Sequence, residues 1–166
     1  MHERQFETAI GPCAILWQDQ HITGFRLLAP PSTTAETTTS FEQPPASIQM
    51  AIKRVRAHLG GDLQDFADLP YAFERVSDFQ RDVYSTALRV KAGQTWTYGQ
   101  LAKAIGHPTA VARAVGTALG QNPWPLLVPC HRFVGADGHM TGFSAPGGID
   151  TKLKLLALEG AQWFAV

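Results

Sequence analysis

Thr97-Tyr98-Gly99-Gln100-Leu101-Ala102 runs on to Ile105, breaks at Gly106-His107-Pro108, and resumes as Thr109-Ala110-Val111-Ala112-Arg113-Ala114-Val115-Gly116 through Gly120. Thr97 carries the side chain of an N-cap, so a short helix over 98–105 is expected. Gly106 and Pro108 supply a stop and a second start, which predicts another helix at about 109–120. Two short helices joined by a Gly-containing turn fit a DNA-docking helix-turn-helix, and they equally fit a helical corner inside a core.

The second helix has an unusual composition. Ala110, Ala112, Ala114, Gly116, Ala118 and Gly120 are all small, and Arg113 stands among them. A surface of small residues permits close approach of another body, either a neighbouring helix or a narrow groove. An arginine on such a surface can reach into a duplex as a gap-filling side chain, or it is a plain surface arginine.

On the N-terminal side, Ser77 is placed to cap a helix with Phe79, Val83, Ala87 and Leu88 on one face, ending at Lys91-Ala92-Gly93. Before it the texture differs. Phe6, Thr8 and Ile10 alternate with polar residues, Gly11-Pro12 breaks the chain, and apolar runs at 13–17 and 22–28 follow, so residues 5–28 read as a hairpin or small sheet. Residues 29–46, rich in Pro, Ser and Thr, read as a loop. Ser47 is placed to cap a helix with Ile48, Ile52, Val55 and Leu59, ending at Gly60-Gly61; the stretch Phe66 to Phe73 has no defined pattern. The expected fold is α+β. A small N-terminal sheet-containing domain, 1–76, precedes a mainly helical C-terminal domain, 77–166, whose helix-turn-helix is winged-helix-like.

The net charge is zero, but it is unevenly spread. Residues 1–78 hold 6 Lys/Arg and 10 Asp/Glu, and residues 79–166 hold 8 and 4. The C-terminal half is therefore the one able to face phosphates. With 45% apolar residues the chain can build a core without disulfides, and its two cysteines, Cys13 and Cys130, read as reduced thiols of a cytoplasmic protein. The polar start Met1-His2-Glu3-Arg4-Gln5 is unlike a signal peptide, and no run approaches the roughly 18 apolar residues of a membrane span. Cys13, His2 and His21 lack metal-ligand spacing, so no metal is expected.

Cys130 is followed by His131 and Arg132 and preceded by Pro129. A free thiol is largely protonated at neutral pH, so a nucleophilic cysteine needs a base or a positive field. Trp124-Pro125-Leu126-Leu127-Val128 reads as a buried strand ending at Pro129, with the thiol just past its end. In an extended chain, neighbouring side chains face opposite ways, so His131 would reach Cys130 only through a bend or a bridging water. The Cys-His pair alone is met as readily by an inert core thiol.

The wider segment is more specific. Arg113-Ala114-Val115-Gly116, Asn122-Pro123, Val128-Pro129-Cys130-His131-Arg132, Thr141-Gly142-Phe143, Gly147-Gly148, Lys152 and Leu158-Glu159-Gly160, together with Tyr98-Gly99-Gln100-Leu101-Ala102, closely resemble the O6-alkylguanine-DNA alkyltransferase family. The resemblance runs from Phe79 to about Gly160; the N-terminal part matches only in outline, through Thr8-Ala9-Ile10-Gly11 and the hairpin after it.

That resemblance implies direct-reversal DNA repair by a monomer that binds the minor groove of double-stranded DNA carrying O6-alkylguanine, without a cofactor. Cys130 would attack the alkyl carbon. His131 would take the thiol proton through a water, Glu159 would orient His131, and Tyr98 would help rotate the nucleotide and donate a proton toward guanine N3. Asn122 would tie the second helix to the segment carrying Cys130. Arg113 would fill the vacated stack, with Thr97, Ala112, Ala114 and Gly116 also on the DNA side. Pro125, Val128, Phe143 and Ser144 would line the substrate pocket.

The chain departs from the family pattern in places. Gly106 to Arg113 is one residue longer, Phe143 replaces the usual tyrosine, and Ser144-Ala145-Pro146-Gly147-Gly148 is about two residues longer. Gln18 and Thr23 stand where some relatives would need zinc ligands. The leading alternative is a non-catalytic relative that binds alkylated DNA and recruits other repair, although such relatives replace the cysteine. A cysteine hydrolase lacks the nucleophile-elbow context here. The near-neutral charge and the single recognition unit argue against a transcriptional regulator that binds a specific operator.

Overall fold

The structure is a computed structural model that describes residues 1–29, 43–137, 143 and 145–161. Much of the loop expected at 29–46, and Ser144, lie outside the described residues. The architecture is α+β: an antiparallel sheet first, then helices.

Strands β1 (His2–Thr8), β2 (Gly11–Gln18) and β3 (His21–Leu27) pair antiparallel in the order β1-β2-β3. The first turn is tied by the Thr8 hydroxyl, which donates to the Gly11 carbonyl at 2.6 Å. The second turn places Asp19 at φ 55°, a left-handed conformation that Asp tolerates better than most residues. β2 is central and buried on both faces from Cys13 to Trp17, which is why it reads as a continuous apolar run, whereas in β1 only Glu3 and Phe6 are buried. Helix α1 (Ala46–Leu59) lies against the sheet with Ile48, Ala51, Val55 and Leu59 buried. Its N-cap is Pro45, not Ser47, and no side chain caps it. The helix therefore begins two residues earlier than the Ser47 reading placed it. Proline provides the fixed φ without the capping bond.

The stretch left undefined by sequence, 66–73, edges the sheet. Ile22 N–H donates to the Pro70 carbonyl at 2.7 Å, and Ala72 N–H donates to the Ile22 carbonyl at 3.0 Å. The same strand β3 also receives the C-terminal half. Phe25 N–H donates to Pro123 O at 2.9 Å, and the Trp124 indole N–H donates to Ile22 O at 2.8 Å. Trp124 is fully buried and meets Tyr71, Phe73 and Tyr84 edge-on. Truncating an aromatic so placed costs about 3–5 kcal/mol, so this side chain is a principal link between the sheet and the helices.

Helix α2 (Asp78–Ala87) starts in a capping box: Ser77 Oγ accepts from Gln80 N–H, and the Gln80 side chain accepts from Ser77 N–H. A short strand β4 (Trp96–Thr97) leads directly into α3 (Tyr98–Ala104), where Thr97 and Gln100 form a second capping box. Gly106, at φ 83°, turns the chain. Helix α4 (Ala112–Gly120) begins at Ala112, after a 3-10 turn over Thr109–Val111 where the sequence reading began an α-helix. The Tyr84 hydroxyl donates to Ala118 O at 2.6 Å and fastens α4 to α2.

The strand expected at 124–128 does not form. Val128 N–H donates to Trp124 O at 2.9 Å, and Leu126 takes φ 78°. The segment is a buried turn whose backbone partners come from Asn122: its Nδ2 donates to Val128 O at 2.9 Å, and its Oδ1 accepts from Trp124 N–H at 2.9 Å. A short apolar run satisfies a buried turn as well as a strand once a side chain supplies the ladder bonds. Cys130–Arg132 then forms a 3-10 turn, followed by β5 (Phe133–Val134), which pairs parallel with β4. That ladder holds the start of α3 beside the segment carrying Cys130. Helix α5 (Ile149–Leu158) closes the described chain.

Candidate active site

Cys130 is a free thiol at the first position of the 3-10 turn, with 6% of its surface accessible. Burial pushes its pKa up; the Asn122 side chain, the positive charge of Lys152 and the backbone N–H groups of Cys130 and Leu126 pull it back. Asn122 thus does two things: it shapes the 124–128 turn and it contacts the thiol. Leu126 holds the left-handed φ that usually belongs to glycine, a conformation that costs about 1–3 kcal/mol for such a residue. It follows Pro125, as the second central residue of a type II turn does, and the turn aims its N–H at the sulfur.

Lys152 on α5 is 1% exposed, and its Nζ donates to Phe133 O at 2.7 Å. Burial lowers its pKa to about 8, against the attraction of a Cys130 thiolate. It remains largely charged at neutral pH and supplies the positive field that a nucleophilic thiol needs.

His131 and Arg132 turn away from solvent into a buried carboxylate, Glu159, at the C-cap of α5. Arg132 grips it with two bonds, Nε to Oε1 at 3.0 Å and Nη2 to Oε2 at 2.7 Å, and uses Nη1 on Val90 O at 2.7 Å. His131 Nε2 lies 3.0 Å from Oε1 and 3.1 Å from Oε2. A third partner comes from α1: His58 Nε2 lies 2.8 Å from Oε2. Burial alone would raise the Glu159 pKa, but hydrogen bonds from His131, His58 and Arg132 hold it well below the usual carboxylate range. A carboxylate at a helix C-terminus faces the negative end of the dipole, so the bidentate arginine is what makes this placement tolerable.

Since Glu159 is ionised, it accepts from His131 Nε2–H, which leaves the lone pair of the imidazole on Nδ1. That atom is buried and makes no hydrogen bond with the described residues. Burial lowers the His131 pKa, Glu159 opposes this, and the charge of Arg132 adds to the lowering. The ring is therefore neutral at neutral pH, with an acceptor ready for a proton. The Phe143 ring lies 6.5 Å from it, edge to face.

The sequence-chosen residues Cys130, His131, Glu159 and Asn122 come together in this buried group. Pro125 and Val128 belong to the adjoining turn and are buried with it. Thr97, the last residue of β4, and Tyr98, the first of α3, line a 280 Å³ cleft with Lys103, Thr109, Ala112 and Ala136. Thr97 Oγ1 is engaged as the cap of α3. A Cβ on Gly116 would stand 4.0 Å from the Tyr98 ring, so α4 and Tyr98 pack closely there. Arg113 and Ala114 are exposed on the first turn of α4, and Ala112 is half-buried. Three participants were not singled out from sequence. Arg132 and Lys152 appeared only as members of the motif, and His58 was hidden in the apolar pattern of α1, 101 residues from its carboxylate partner. No local signal marks His58.

The profile of the family described as 6-O-methylguanine DNA methyltransferase, DNA binding domain, matches residues 78–161. The methylated-DNA–protein-cysteine methyltransferase of Mycobacterium tuberculosis is 37% identical over 162 residues, covering 98% of this chain and 94% of that protein. The protein of the same name from Methanosarcina acetivorans is 34% identical over 167 residues, covering 97% and 99%. The crystal structure of Mycobacterium tuberculosis OGT in complex with DNA superposes with a TM-score of 0.80 at 36% identity, covering 96% of this chain and 93% of that one. The O6-methylguanine-DNA methyltransferase of Pyrococcus kodakaraensis gives 0.69 at 27% identity, covering 96% and 99%. Matched by that profile over half its length and 37% identical to a named relative over 98% of it, this protein belongs to the 6-O-methylguanine DNA methyltransferase family.

Proposed function

We propose that this protein reverses alkylation damage in DNA by moving the alkyl group from O6 of guanine to Cys130 in a single turnover. The observation that carries this reading is the buried thiol flanked by a neutral imidazole whose other nitrogen is fixed on an ionised carboxylate. O4-alkylthymine offers the same alkyl-oxygen chemistry.

Because burial keeps Cys130 protonated at rest, the proton must leave as the sulfur attacks. In this reading the proton passes to His131 Nδ1 through one water, and Glu159 stabilises the resulting imidazolium. Sulfur forms a bond to the alkyl carbon while the carbon–O6 bond breaks, and its electron pair returns to the base. Tyr98 neutralises the leaving guanine by donating toward N3. Atoms and electrons balance without a cofactor. The thioether product is not reversed by thiol redox chemistry, so each molecule acts once.

The target base is inaccessible inside a duplex and must be extruded. Arg113, exposed on the small-residue surface of α4, fits the role of the side chain that fills the vacated stack, with Thr97, Ala112, Ala114 and Gly116 along the minor-groove face. Residues 77–166 would carry binding and chemistry, residues 1–76 would support them, and the protein would act as a monomer. Pro125, Val128, Phe143 and Ser144 would bound the alkyl pocket. The two free cysteines fit a reducing, cytoplasmic setting.

The test is incubation with duplex DNA carrying O6-methylguanine, followed by intact mass and peptide mapping. One methyl gained on Cys130, with stoichiometry stopping at one, is the expected result. Tight binding with no mass gain would instead support the non-catalytic alternative.

A further inference from the structure

We propose that His58 is a positioning residue for alkyl transfer: from α1, outside the helical half, it fixes the Glu159 carboxylate and so keeps His131 in the form that accepts the thiol proton. This rests on the alkyl-transfer reading and adds a residue to it.

The geometry determines which way His58 bonds. The backbone N–H of Gln64 donates to His58 Nδ1 at 3.0 Å. A nitrogen that accepts a backbone N–H carries no proton, so the ring proton of neutral His58 is on Nε2. Nε2 lies 2.8 Å from Glu159 Oε2 and therefore donates. The donor is held rigidly. His58 has no accessible surface, its ring packs 5.2 Å from Phe66, and the chain reverses after it at Gly61, where Gly61 N–H bonds back to His58 O at 3.0 Å and φ is 103°. That reversal is what brings Gln64 N–H over the ring.

The consequence for Glu159 is one of sharing. Its two oxygens serve Arg132, His131 and His58. Arg132 bonds both oxygens, His131 Nε2 lies between them at 3.0 and 3.1 Å, and His58 adds a further donor on Oε2. With His58 drawing on Oε2, the carboxylate attracts the His131 proton less strongly. The charged and titratable groups facing His131 are Glu159 from the end of α5, Arg132 from the same 3-10 turn and His58 from α1. Removing the His58 donor leaves Glu159 with one bond fewer and a stronger pull on His131. The imidazole then becomes more basic and its acid form persists to higher pH.

The experiment compares the full-length protein with His58→Leu and His58→Gln. The glutamine amide can place a donor near the former Nε2, whereas leucine fills the space without one. Single-turnover transfer from O6-methylguanine duplex is followed from pH 5 to 8, with duplex affinity measured in parallel. His58→Leu is expected to slow transfer by about tenfold at neutral pH, the loss expected for one hydrogen bond to a charged group, and to move the acid limb of the profile upward by about one pH unit. Affinity for the duplex should stay within about twofold, and His58→Gln should recover most of the rate and the original limb.

A purely structural His58 gives a different result: both variants lose stability together, and the acid limb stays in place in whatever fraction remains folded. An unmoved limb in folded His58→Leu, or equal losses in the two variants, overturns the proposal. If His58→Leu fails to fold, the glutamine variant alone decides it: a wild-type profile supports the donor role, and a tenfold loss with normal folding overturns it. Failure of the alkyl-transfer reading is separately visible, because the wild-type protein would then show no transfer at any pH.

Discussion

Two cysteines lie buried in this protein, and only one has the surroundings of a nucleophile. Cys13 sits in the middle of β2, opposite Phe6 and Leu27, and is fully enclosed. Burial raises its pKa; the Leu28 backbone and the Thr8 side chain lower it somewhat, and the nearby charge of Glu7 raises it further. Cys130 is also raised by burial, but its neighbours are an amide, a turn N–H and the ammonium of Lys152, and the next residue is an imidazole bound to a carboxylate. Enclosure by itself therefore does not separate a core thiol from a reactive one. The sign of the nearest charge and the presence of a base do.

The largest effect expected from this contrast is on transfer itself. Cys130→Ala should abolish methyl uptake by intact mass while duplex binding persists. Cys13→Ala should leave uptake at one per molecule and reduce stability by about 1 kcal/mol, the cost of a small core truncation. Methyl uptake on Cys13 would break the distinction.

Next in size is the buried carboxylate that holds the imidazole beside Cys130, an arrangement with no counterpart at Cys13 among the described residues. Glu159→Gln strands a buried Arg132 guanidinium, and denaturant unfolding should show a loss of about 3–5 kcal/mol. Replacing both partners, with Arg132→Met and Glu159→Leu, should recover much of that stability and none of the transfer rate. Recovered transfer would mean that His131 needs no oriented carboxylate. A smaller effect is expected outside the buried group. Arg113→Ala should slow repair of duplex DNA by about tenfold, equivalent to about 1.4 kcal/mol and so to part of the few kcal/mol that unstacking costs, while transfer from a free alkylguanine base changes little. Equal losses on the two substrates would remove Arg113 from base extrusion.

The sequence conveyed local features well and long-range ones poorly. The caps at Ser77 and Thr97 were legible because each bond closes within three residues. The apolar runs and the Gly11-Pro12 break placed a hairpin or small sheet over 5–28, where three antiparallel strands form; which strand is central comes from the structure. Cys130, His131, Asn122 and Glu159 were legible only through a motif, since His131 and Glu159 stand 28 positions apart with no periodicity to join them. The 124–128 turn was misread as a strand because its apolar residues are equally suited to either. Its left-handed residue is Leu126, which no turn preference favours. Ser47 looked like a cap, yet Pro45 begins the helix. His58 fell on the buried face of α1, where a polar residue acquires meaning only when its distant partner is known.

Lys152 offers the subtlest way to sharpen the comparison of the two thiols, because it should help the chemistry at a cost to the fold. Burial brings its pKa from the ordinary lysine value of 10.5 to about 8. The unfolded chain therefore binds the proton more tightly than the native protein does. Stability should rise with pH between about 8 and 10.5, and the penalty of burying the charge is fully present below 8. Lys152→Met removes that penalty. The stability difference between wild type and variant should thus shift by on the order of 3 kcal/mol across that window, measured by denaturant titration at each pH. The same substitution removes the cation nearest Cys130, so at pH 7 transfer should slow by about tenfold while one methyl per molecule is still taken up. If the variant's rate matches the wild type, the thiol owes its reactivity to His131 and Asn122 alone. If the stability difference is flat with pH, Lys152 keeps its ordinary lysine pKa and carries no burial penalty; if it goes on changing well below pH 8, Lys152 is uncharged in the native protein at neutral pH, and Cys130 is electrostatically closer to Cys13 than the geometry indicates.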